Sequence, residues 1–157
     1  MGVDLPLRTL SVTDALAAEL THLPETRDAS LVLWISVCHG FTAELFTKNQ
    51  DGKTFSALPF SARLSTVLTV EEAHNGIPDT PEGRVAELLR RMRGLFSMDC
   101  VLVETRFAPE RLDACRDALP PTAKLFARFV DLNTPSLAHC GALRVSRRHL
   151  WESLTDG

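Results

Sequence analysis

The chain has 157 residues, of which 45% are hydrophobic and 24% charged, with a formal net charge of −3. That length suits one domain, 1–157, with a core of its own, and the small negative charge gives no reason to expect a nucleic-acid or membrane surface. No apolar run approaches the ~20 residues that a membrane-spanning helix needs.

Met1, Gly2, Val3, Asp4 and Leu5 offer no basic segment leading into an apolar one, so no secretory signal is expected. Cys38, Cys100, Cys115 and Cys140 lack paired spacing. They read as reduced, mostly buried thiols of a cytoplasmic, or also nuclear, protein. Tyrosine is absent, which argues against an aromatic-rich recognition surface.

In chain order, Leu7-Arg8-Thr9-Leu10-Ser11-Val12 suits a first strand. Residues 14–23 are ambiguous, since their alanines favour helix and Pro24 ends whatever forms. Next comes Leu31-Val32-Leu33-Trp34-Ile35-Ser36-Val37-Cys38, an apolar and β-branched run that reads as a strand. Its alternate side chains point to opposite faces, and both faces are apolar. Both need cover.

Residues 41–47 suit a strand, Asn49-Gln50-Asp51-Gly52-Lys53 a tight turn, and residues 54–60 another strand, with Pro59 at an edge or bulge. Residues 63–68 extend it or pair again. The first 70 residues thus read as a meander of short antiparallel strands.

Beyond the loop at 75–81 the pattern turns helical. Thr80 or Asp79 can cap, Pro81 fits the first turn, and Val85, Leu88, Leu89 and Met92 recur at helical spacing. Residues 100–105 read as a strand apolar on both faces until Glu104. Pro109 then opens a second helix with Leu112, Cys115, Arg116 and Leu119, stopped by Pro120-Pro121. Residues 124–130 suit a last strand, and a short helix is expected over 146–154, with Leu150, Trp151 and Leu154 on its apolar side.

The expected fold is therefore α+β: an antiparallel sheet of five to six strands with two main helices on one face. The other face, carrying Val32 and Trp34, is expected to be covered by a partner, a second copy or a related protein, and the chain's own last helix with Trp151 is the alternative cover.

Four stretches together resemble a known family: Leu31-Val32-Leu33-Trp34-Ile35, Ser61-Ala62-Arg63-Leu64-Ser65, Gly83-Arg84-Val85-Ala86-Glu87-Leu88-Leu89-Arg90-Arg91 and Val101-Leu102-Val103-Glu104. Their order and spacing, from about Leu7 to Leu119, look like those of the proteasome assembly chaperone 4 family, while the tail after Pro120 departs from it. The resemblance implies a non-enzymatic protein without a cofactor. It would pair with a sister, assembly chaperone 3, and help order the α subunits of the 20S proteasome into a ring. Under that reading Val32, Trp34, Arg84, Arg90, Arg91 and Trp151 are the candidate partner-binding residues.

The alternative is chemistry at Cys38-His39 and His139-Cys140, either a metal site or a small cytosolic enzyme. Directly adjacent Cys-His pairs do not match the two-to-four-residue ligand spacing of zinc sites. A buried thiol beside a loop histidine is the plainer reading. No phosphate-binding glycine loop or dinucleotide fingerprint is present. Arg84, Arg90, Arg91 and Arg93 interleave with Glu82 and Glu87, as on the wet face of an amphipathic helix. They could also dock an acidic partner surface.

Overall fold

A computed structural model describes residues 11–38, 41–58, 80–93 and 97–155. The expected strand at 63–68 and the motif at 61–65 lie outside these residues, as does most of the expected strand at 7–12.

Helix α1 spans Val12–Leu20. Ser11 caps it, its hydroxyl accepting from the Asp14 N–H at 3.0 Å, and Asp14 sits at the positive end of the helix dipole. Of the ambiguous residues 14–23, those up to Leu20 are helical, and Val12, the end of the expected first strand, opens the helix instead. Its inner stripe of Ala15, Leu16, Glu19 and Leu20 is buried.

Five strands follow: β1 Leu31–Ser36, β2 Thr42–Lys48, β3 Phe55–Ala57, β4 Cys100–Thr105 and β5 Lys124–Phe129. They lie in the order β3-β2-β1-β4-β5. The β2–β3 turn is built by Asp51, whose carboxylate accepts from the N–H groups of Lys53 and Thr54 at 2.8 and 2.9 Å. Gly52 supplies the positive φ of 70° that the turn requires.

The sheet is mixed, which corrects the expectation of an antiparallel one. β1 pairs antiparallel with β2 and β2 with β3, but β1 pairs parallel with β4 and β4 with β5. Helical segments between β3 and β4, and between β4 and β5, carry the chain back across the sheet, and such crossovers make neighbouring strands parallel.

The first crossover is α2, Pro81–Arg93, whose Thr80 hydroxyl accepts from the Gly83 N–H. The second, Pro109–Ala118, is a 3-10 helix rather than the expected α-helix. Its buried side chains, Leu112 and Cys115, recur every three residues, the period of a 3-10 turn. Arg111 clamps the two segments together, donating to both oxygens of Glu82 at 2.7 and 2.8 Å.

These segments cover one sheet face. Leu33, Ile35, Leu45, Val101, Val103 and Leu125 pack there against Val85, Leu88, Leu89, Met92 and Leu112. On the opposite face Val32, Trp34, Phe46, Cys100 and Leu102 pack against Leu16 and Leu20 of α1 and Leu137 of the last helix. That helix, α3, runs Leu137–Thr155, far longer than the short one expected over 146–154, and contains Trp151.

Where a partner was expected over the Val32/Trp34 face, the structure lays helices of the same chain, α1 and α3. Val32 is fully buried and Trp34 only 5% exposed, so neither offers surface to a partner in this fold. Burying each such side chain is worth about 1.5–3 kcal/mol. The sheet is therefore sandwiched between two helical layers.

Candidate interaction edge

Among the described residues, β3 and β5 are the outer strands of the sheet. β3 has three residues, whereas β5 has six. In the β4–β5 ladder Lys124 N–H donates to Asp99 O at one end, and Val130 N–H to Thr105 O at the other. A parallel ladder uses the groups of alternate residues, so those of Leu125, Ala127 and Phe129 point away from the sheet.

One outward group is already occupied: the Arg116 guanidinium donates to Leu125 O at 2.6 Å. Arg116, Leu125 and Phe126 line two adjoining clefts, of about 370 and 350 Å³. The larger also touches Glu25 on one side of the sheet and Pro109 on the other. Phe129, at the end of the strand, is 41% exposed. Among the described residues no strand pairs with the outer side of β5, and an unpaired edge of this length is a template for a further strand.

Just inside the edge the second face carries a polar row. Register places Thr42, Ser36, Glu104 and Arg128 side by side across β2, β1, β4 and β5. Glu104 is buried. It accepts from Trp34 Nε1 at 2.7 Å and from the Leu137 N–H, at the start of α3, at 3.1 Å. Burial raises its carboxyl above the ordinary range, against the pull of the Trp34 and Leu137 bonds and the Arg128 charge. Arg128 donates to Pro135 O at 2.9 Å, fixing the approach to the helix.

The expected partner-binding arginines sit elsewhere, on α2. Arg90 and Arg91 both close on Glu87, at 2.8 and 3.0 Å, and Arg84 is half-buried on the same helix. A pair with an exposed partner, such as Arg90–Glu87, contributes little. Arg90→Ala is therefore expected to change unfolding free energy by less than about 1 kcal/mol in a urea titration, and a loss above roughly 2 kcal/mol would contradict that.

For the Cys/His alternative, Cys38 follows β1 and Cys140 lies in the first turn of α3 beside exposed His139, while His39 falls outside the described residues. Burial raises the Cys38 and Cys115 thiols and pushes Cys100 up to about 12, which keeps them protonated and poorly nucleophilic. Among the described residues no group of three or more His, Cys, Asp or Glu is placed to hold a metal ion. None of the described helices is long and apolar enough to cross a membrane.

Sequence reasoning passed over β5 as an edge and Arg116 as its guard. A signal existed in Lys124 and Arg128, charges set within an otherwise apolar strand, which suit a position at the edge of the sheet. No family model, curated protein or solved structure matches the chain.

Proposed function

We propose that this protein is a non-enzymatic assembly factor that joins its partner by strand addition at β5. The observation that carries this reading is the six-residue outer strand, with Phe129 exposed at its end and clefts on its flank. A strand laid along it gains main-chain hydrogen bonds, and the clefts accept alternate side chains. Resemblance to the proteasome assembly chaperone 4 family supplies the class of partner: a sister chaperone first, then α subunits of the 20S proteasome. The edge replaces the Val32/Trp34 face as the pairing surface in this reading, because that face is already filled.

Affinity capture of the tagged chain from its own cell extract tests the proposal, alongside Phe129→Lys. Proteasome α subunits and a second small chaperone are expected with the wild type. The lysine, placing a charge on the edge without touching the core, is expected to weaken capture at least tenfold, about 1.4 kcal/mol, with an unchanged melting temperature. Recovery of neither partner, or equal capture by the variant, overturns the reading.

A further inference from the structure

At the opposite edge of the sheet, the segment Thr21 to Arg27 and the β2–β3 hairpin flank an open cleft of about 420 Å³. That volume falls in the range of small-molecule sites. Its positive side chains come from separate segments: Arg27 from the stretch after α1, Lys48 from the end of β2, and Lys53 from the hairpin turn. Among the described residues no carboxylate side chain lines it, although the whole chain carries 20 acidic residues against 17 Lys and Arg. The local charge therefore runs against the composition.

Two details make the cleft more than a loose patch of lysines. Lys48 is held in place, its Nζ donating to Arg27 O at 2.6 Å and standing 5.5 Å from the centre of the Phe55 ring. Asp51, the nearby acid of the turn, is engaged by Lys53 N–H, Thr54 N–H and the Thr54 hydroxyl. Leu23, Pro24 and Phe55 add apolar wall.

From these placements we infer a binding site for a small phosphate monoester, its phosphoryl group among Arg27, Lys48 and Lys53 and its organic part against Leu23 and Pro24. Three permanent cations exceed what one carboxylate neutralises, whereas a phosphate monoester carries about −1.5 to −2 at neutral pH. Arginine and lysine are the usual phosphate donors. The cleft involves β3, not β5, so the inference is independent of the interaction edge.

Phenyl phosphate is the probe, titrated into the full chain at low salt and followed by amide NMR and thermal shift. The expected result is saturable shifts around Arg27, Lys48 and Lys53, with affinity at least tenfold above that of benzoate. Arg27→Ala with Lys53→Ala, both exposed side chains, is expected to lower affinity at least tenfold while the melting temperature without ligand stays put. Absence of saturation below about 10 mM, equal binding by the double variant, or equal binding of benzoate overturns the inference. Tighter binding of a phosphoserine peptide than of phenyl phosphate overturns the small-molecule assignment in favour of a modified protein partner.

Discussion

Gly141→Ala is expected to destabilise the protein by about 2–3 kcal/mol, even though alanine is the better helix former by up to about 1 kcal/mol. Gly141 lies inside α3 where that helix crosses α1. A Cβ built there meets the Ala15 carbonyl, 2.6 Å from its carbon and closer still to its oxygen. These are backbone atoms, so no rotamer change can relieve the clash. The helices must separate, and the contacts beneath them loosen.

One of those contacts is charged. Glu19 of α1, only 6% exposed, accepts from Arg144 of α3 at 3.0 Å, and separation leaves that carboxylate without its partner. For a domain of this size the loss corresponds to a fall in melting temperature of roughly 4–12 °C, measured by calorimetry or circular dichroism. A rise instead would mean that propensity governs the site and that the helices do not cross there.

Glu104→Ala is expected to cost more, about 3–5 kcal/mol, by stranding two buried donors and leaving a cavity. The donors are Trp34 Nε1 and the Leu137 N–H. Glu104→Gln keeps an acceptor for both, and its cost at neutral pH is expected to stay within about 1 kcal/mol. Equal losses for alanine and glutamine would refute this account.

The same pair of variants carries a pH signature. The folded value of Glu104 is raised from 4.5, so the native chain keeps this proton where the unfolded chain has lost it. As pH rises from about 4.5 through the folded value, the buried charge subtracts from stability. Across that window the wild type is expected to lose ground against Glu104→Gln. Below it the difference is expected to level off.

How far the sequence could be followed depended on the range of the interaction. The two-sided burial of β1 was legible because Val32, Leu33, Trp34 and Ile35 are apolar on both faces, and all four are buried. α2 was legible from Val85, Leu88, Leu89 and Met92, and the hairpin turn from Asp51-Gly52. Strand direction was not, because the early run of strands outweighed the strand–helix–strand alternation after residue 79. That alternation is the sign of parallel pairing.

The start of α3 was hidden by Gly141, which reads as a helix breaker until the close approach to Ala15 is known. Ser136, whose hydroxyl accepts from the His139 N–H, was the overlooked cap. The polar row was beyond sequence altogether. Trp34 and Glu104 are 70 residues apart, and only the parallel register of β1 and β4 brings them together.

The pairing of α1 with α3 also sets an order of events on the ribosome. The layer built from α2 and the 3-10 helix is complete once β5 has emerged, whereas the opposite layer waits for residues beyond Leu137. Until then, among the described residues, Val32, Trp34, Phe46 and Leu102 present an apolar sheet face covered by α1 and the segment after it, without Leu137. Domains form as units while synthesis proceeds, and exposed apolar sheet is where nascent chains aggregate. The last helix thus acts as a latch on a half-built molecule. Slow translation through it would lengthen the interval in which this face of the sheet is exposed.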